Sequence, residues 1–252
     1  QGLTVAGAFG FLEGEWAAAV FSGVVCLDDA IRIAGIRNGS RNASTPLLAV
    51  QATAARIPWA EGVNLVCNFG LELTFFTGSE PALSEFEAEL TTRHIVHERL
   101  GVEDSYRSYV ATPEYAAALQ DVVFSPARCP WLSNCSGQWH APETLSAAYW
   151  LEHLQTPSRF SDNLRSLAER FPSCVIVEVG PPGVGDWVVR EMHRLGASWT
   201  VVPTLRQGSE VETYLSCLGE LWAHADLLPD LDSATKVSLP TYAFQRQPIE
   251  KR

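Results

Sequence analysis

The sequence predicts an α/β fold in two parts, a larger one with a mainly parallel sheet and a smaller α+β one inserted into it. Three observations predict this. Continuous apolar runs such as Cys174-Val-Ile-Val alternate with amphipathic stretches, the pattern of buried parallel strands covered by helices. From Val63 to about Leu132 the order becomes strand, strand, helix, strand, helix, a small unit of its own. A chain of 252 residues, 46% hydrophobic and 19% charged, can bury a sizeable core. Residues 1–62 and 129–225 form the larger part in this reading, 63–128 the smaller, and 226–252 follow.

Taken in order, Leu3-Thr-Val-Ala-Gly reads as a buried strand ending in a Gly-rich turn. Gly14 to Phe21 is alanine-rich and helix-competent, closed by Ser22-Gly23. Asp28-Asp29 open a second helix through Arg37, where acids suit the positive end of the helix dipole. Asn38–Pro46 is loop-like. Val63–Asn68, Leu71–Thr77 and Ile95–Val102 read as strands, Glu80–Leu90 and Glu114–Asp121 as helices, the first with Leu83, Phe86 and Leu90 at i, i+3, i+7. Phe160, Leu164, Leu167, Ala168 and Phe171 share one helical face, which Pro172 ends. A strand from Cys174, a helix with Val188, Met192 and Leu195, a strand Trp199–Val202 and a helix marked by Val211, Tyr214, Leu215, Leu218 and Trp222 complete the chain.

Eighteen Lys and Arg against 29 Asp and Glu give a net charge of −11, which argues against non-specific partnership with nucleic acid or anionic membranes. No apolar stretch approaches the roughly 20 residues of a membrane span, and no basic leader opens the chain. It starts without Met inside a strand-like run and reads as part of a longer polypeptide. Six cysteines without a Cys-x-x-Cys pair read as reduced thiols of a cytoplasmic protein. The Asn-x-Ser sequons at Asn38, Asn42 and Asn134 have no export route to support them.

Gly180-Pro-Pro-Gly reads as a tight strand-to-helix turn, because two prolines remove amides a phosphate would need. His94 and His97 are metal-capable, but i and i+3 on a strand point to opposite faces and no further ligand lies at suitable spacing, so no metal is expected. The turn from Gly7 to Gly14 is more informative. A strand, a Gly-rich turn and an Ala-rich helix make a nucleophile elbow, yet the turn holds no Ser, Cys or Thr.

With these motifs in order, the chain resembles the acyltransferase domains of modular polyketide synthases, relatives of malonyl-CoA:acyl-carrier-protein transacylases. Gly14-Glu-Trp-Ala-Ala-Ala-Val-Phe looks like the helix after the family's Gly-His-Ser-x-Gly-Glu elbow, and Arg37 falls at the family's arginine. Pro46-Leu-Leu-Ala-Val, Pro130-Trp-Leu-Ser-Asn-Cys-Ser-Gly137, Tyr149–Phe160 and Val177-Glu-Val-Gly-Pro181 resemble four further signatures. Leu239-Pro-Thr-Tyr-Ala-Phe-Gln-Arg246 resembles the linker that follows these domains, which makes 226–252 a post-acyltransferase linker.

The resemblance implies an α/β-hydrolase-like large subdomain and a ferredoxin-like small one. It implies ping-pong acyl transfer: a serine attacks an acyl-CoA thioester, a histidine acts as base, and the acyl group passes to the phosphopantetheine thiol of an acyl carrier protein. No bound cofactor is implied; the partners are the carrier protein and neighbouring synthase domains. Arg37, which would pair with a malonyl-type carboxylate, and Asn134 are the substrate-binding residues it suggests.

The chain departs from this pattern at the chemistry itself. Matching Gly14-Glu15 puts Leu12 at the nucleophile position, whereas matching Gly7 puts Phe9 there. Arg107 stands at the base position, and a guanidinium does not deprotonate in proteins. The Gly-rich loop that helps form the family's oxyanion hole has no counterpart within these residues. The leading expectation is therefore a catalytically inactive acyltransferase-like domain, structural or carrier-contacting. The alternatives are an acyl transferase or thioester hydrolase using a recruited residue, Cys135 or Ser108, and an intact enzyme whose sequence is truncated or mis-read near Gly7–Gly14.

Overall fold

A computed structural model describes residues 5–39, 46–52, 56–70, 72–100, 111–140, 145–181 and 183–225, with the side chains of 37–39 and 225 excepted. Helices α1 (Gly14–Phe21) and α2 (Leu27–Gly39) come first. Strands β1 (Leu47–Gln51), β2 (Val63–Phe69) and β3 (Leu73–Gly78), helix α3 (Glu80–Thr92) and strand β4 (Val96–Leu100) follow. Then come α4 (Pro113–Gln120), α5 (Ala147–Gln155), α6 (Phe160–Arg170), β5 (Ser173–Glu178), α7 (Val184–Leu195), β6 (Ser198–Pro203) and α8 (Glu210–Ala225).

Local chemistry explains several boundaries. The Ser79 hydroxyl accepts from the Ala82 amide at the start of α3, and Thr112 accepts from Tyr115 at the start of α4, each followed by a proline in the first turn. Gly196 ends α7 in the left-handed conformation at φ 66°. Glu178, the last residue of β5, accepts the Gly185 amide at 2.7 Å, so a carboxylate sits on the N-terminus of α7. The Gly180-Pro-Pro-Gly segment is a strand-to-helix turn with Gly180 and Gly183 both at positive φ; Pro182 lies outside the described residues.

Four strands form an antiparallel sheet in the order β2-β3-β1-β4, with Leu48 opposite Phe76 and Arg99. One face packs on α3 through Leu48, Val50, Leu83, Phe86 and Leu90. Strands β5 and β6 pair in parallel, Ser173 with Ser198 through Glu178 with Pro203, and α6 and α7 cover them. A third core joins α1, α2, α4 and α5, where Trp16 and Trp150 stack at 3.7 Å.

The α/β fold is as the sequence predicts, but the division of the chain differs from expectation at two places. β1, expected in the larger part, is an inner strand of the antiparallel sheet, which therefore starts at Leu47 rather than Val63. α4, expected in the smaller part, packs into the core of α1, α2 and α5 through Tyr115 and Leu119. An all-apolar run such as Leu47-Leu-Ala-Val reads alike in a parallel strand and in the middle of an antiparallel sheet, so its pattern does not reveal its partners. Among the described residues, parallel pairing is confined to β5–β6 and the single bridges Ala8–Trp131 and Cys67–Ser158. The expected linker, 226–252, lies outside the described residues.

Candidate functional site

The turn before α1 is built from both sides. Ala8 bridges Trp131 in parallel, its amide donating to Pro130 O at 2.9 Å while Leu132 N donates to Ala8 O at 3.0 Å. The chain then reverses, and Gly14 N reaches Phe11 O at 2.8 Å and Glu15 N reaches Leu12 O at 3.1 Å. At the apex Leu12 has φ 51°, a left-handed conformation that strains a side chain branched like leucine by roughly 1–2 kcal/mol. Gly10 must be glycine, because a Cβ there would overlap the backbone of Gly14. A sheet-edge residue, a sharp turn with one left-handed apex and a helix together make the elbow geometry, and Leu12 is its apex, only 5% exposed.

Asn134 holds this turn from beneath. Its Nδ2 donates to Gly10 O at 2.9 Å and reaches Leu12 O at 3.5 Å, while its Oδ1 accepts from Ser158 Oγ at 2.9 Å and Asn163 Nδ2 at 3.1 Å. Both ends of the side-chain amide are engaged and the residue is 2% exposed, so Asn134, expected at the substrate site, is here tied to the elbow. The Asn134 amide donates to Glu15 Oε2 at 2.8 Å.

Glu15, fully buried on the first turn of α1, is the second anchor. Trp131 Nε1 donates to Oε1 at 3.2 Å, the Tyr149 hydroxyl donates to the same oxygen, and His153 Nε2 lies 3.3 Å from Oε2. Burial alone would push this carboxyl up; the hydrogen bond and charge of His153, with the donors Tyr149 and Asn134, more than offset it and hold it below its ordinary value. Sequence reasoning did not single out Glu15, His153, Ser158 or Asn163 as site residues. The available signal was a lone acid on the buried face of an otherwise alanine-rich helix.

Above the turn, aromatic rings occupy the space between the elbow and the antiparallel sheet. Phe11 lies 4.5 Å from Phe69 and 5.1 Å from Phe160, and Phe69 lies 5.5 Å from Trp187 of α7. Phe9 reaches Phe160 at 6.1 Å, and of the two candidate positions only Leu12 has positive φ. Cys135 sits beside the anchor and not on the elbow, and burial with the neighbouring Glu15 charge pushes its thiol up to about 12. Arg107, Ser108 and the side chain of Arg37 lie outside the described residues. His94 occupies the turn before β4 and His97 lies within that strand; no group of three metal-capable side chains gathers among the described residues.

Known proteins share this architecture. The model of the acyl transferase domain family matches residues 1–223. Polyketide synthase GfsE of Streptomyces halstedii is 28% identical over 94% of this chain, and erythronolide synthase EryA2 of Saccharopolyspora erythraea 29% identical over 98%. The chain spans only 7% of each of those relatives. Among solved structures, the acyltransferase domain from the second module of the salinomycin polyketide synthase superposes with a TM-score of 0.78 at 27% identity, covering 96% of this chain and 61% of that one. The domain from module 8 of the same synthase gives 0.80 at 26%, covering 92% and 57%. A match across nearly the whole chain settles the kinship: the chain belongs to the acyl transferase domain family.

Proposed function

We propose that this chain is the acyltransferase-type domain of a polyketide synthase and that it does not perform the covalent acyl-transfer step itself. One observation carries the reading: the elbow is intact in shape, and its apex is the buried, unreactive side chain of Leu12. A thioester needs a nucleophile at that apex with a base beside it, and a carbon side chain cannot attack. The aromatic rings of Phe11, Phe69 and Phe160 fill space that an acyl chain would need. The recruited-nucleophile alternative gains no support from Cys135, whose raised pKa leaves it a thiol near neutral pH, away from the elbow.

In this reading the domain keeps a structural or carrier-contacting role in secondary-metabolite assembly. Malonyl-CoA and carrier-borne phosphopantetheine are the family's substrates, and the carrier protein and adjoining synthase domains are the partners. Intact-mass spectrometry after incubation with malonyl-CoA tests it. No mass increment is expected, whereas a stoichiometric, hydroxylamine-sensitive malonyl adduct would overturn the reading.

A further inference from the structure

Three residues at the β2–β3 turn meet three residues of α7. The ring of Phe69 lies 5.5 Å from that of Trp187, Gly70 lies against the Glu191 carboxyl group, and Glu72 pairs with Arg194. Trp187, Glu191 and Arg194 stand at i, i+4 and i+7, which is one face of the helix. Gly70 has φ 70°, and a Cβ there would run into the Glu191 carboxyl group, so glycine lets the turn come this close. Arg194 also lies 3.9 Å from Glu191, so one guanidinium serves an acid on each element.

The elbow lies behind this contact. Phe69 also reaches Phe11 and Phe160, at 4.5 and 5.2 Å. Cys67, 1% exposed, packs on the same face of the sheet with Phe11, Leu47, Phe69 and Phe75. At the edge of β2 a single bridge adds to the hold, with Ser158 N donating to Val66 O at 2.9 Å. The charged fastening is open to water, with the Glu72 side chain 75% and the Arg194 side chain 32% exposed. Its strength is that of a surface pair, and salt screens it. A part held by so few exposed contacts opens at far lower cost than the whole chain unfolds. We propose that the β2–β3 turn is a latch on the Trp187–Arg194 face of α7, and that the antiparallel sheet lifts off the elbow when the Glu72–Arg194 pair releases. The latch governs access to the elbow and is independent of whether the elbow reacts.

The Cys67 thiol is a native reporter of that movement. Burial pushes its pKa up, so it reacts with N-ethylmaleimide only once the sheet lifts. Cys217, 2% exposed on α8 against Val202, reports unfolding elsewhere. Labelling rates at both cysteines, resolved by peptide mass spectrometry, are compared in the full chain, in Glu72→Ala, in Arg194→Ala and in the reversed pair Glu72→Arg with Arg194→Glu. Circular dichroism checks the folding of each. Either single variant should label Cys67 roughly two- to fivefold faster, the range a surface ion pair supplies, with Cys217 unchanged. The reversed pair should return to the rate of the unaltered chain. Salt at about 1 M, where the Debye length is about 3 Å, should speed the unaltered chain toward the single variants. Cys67 labelling that neither single variant nor salt changes overturns the proposal. So does a parallel rise at Cys217, which would make the opening global, or a reversed pair that labels as fast as the single variants.

Discussion

Glu15 and Asn134 hold the elbow by different means, and each has a distinct signature. Asn134→Ala would leave Gly10 O, Ser158 and Asn163 without their buried partner, an expected loss of about 2–4 kcal/mol in chemical denaturation. Glu15→Ala should cost about 3–5 kcal/mol, because it strands His153 and three donors in a dry site. The pH response separates charge from packing. The Glu15 carboxyl is held below its ordinary value of 4.5 in the folded chain, so its contribution is present above that pH. It is lost as pH falls from there through the lowered folded value. Glu15→Gln should therefore flatten the acid limb of a stability-against-pH curve, measured by urea titration between pH 3 and 7; an unchanged limb would reject this role for the carboxylate.

At the scale of elements, the elbow depends on two backbones passing closely. Gly10→Ala would drive its Cβ into the first turn of α1, and a loss of about 3–5 kcal/mol or failure to fold is expected in thermal melts. Glu178→Gln, which removes the charge from the N-terminus of α7, should cost only about 1 kcal/mol. Helices were the most legible feature of the sequence: α1 runs over Gly14–Phe21 as read, and Leu83, Phe86 and Leu90 point inward as their spacing requires. Strand partners were less legible, since β1 and β3 meet across a separation that no local pattern encodes. The least legible were the supports of the site. Nothing periodic marks Asn134 in its loop, and a left-handed leucine contradicts local preference, so Leu12 is explained only by the residues gathered beneath it.

Taken whole, the molecule converges on the elbow: Phe11 and Phe69 each belong to the packing of both the β5–β6 side and the outer face of the antiparallel sheet. Phe11→Ala should open a void costing about 3–5 kcal/mol without conferring acyl labelling, because no nucleophile appears. Leu12→Ser alone should likewise recover little labelling with radiolabelled malonyl-CoA; on the proposal that Leu12 and Arg107 stand at the family's nucleophile and base positions, Leu12→Ser with Arg107→His is the smallest change that supplies both. Strong labelling of the single variant would show that Arg107 does not stand where the base is needed. The wiring of Glu15 also constrains how the chain is made. Its partners Trp131, Asn134 and Tyr149 lie 116, 119 and 134 positions further on. During vectorial synthesis the antiparallel sheet, complete by Leu100, can close while α1 still waits with an uncompensated acid. The elbow is thus translated well before the residues that hold it and is among the last features to set, and a ribosome that stalls before Tyr149 leaves a nascent chain with its sheet folded and its apolar α1 exposed to chaperones.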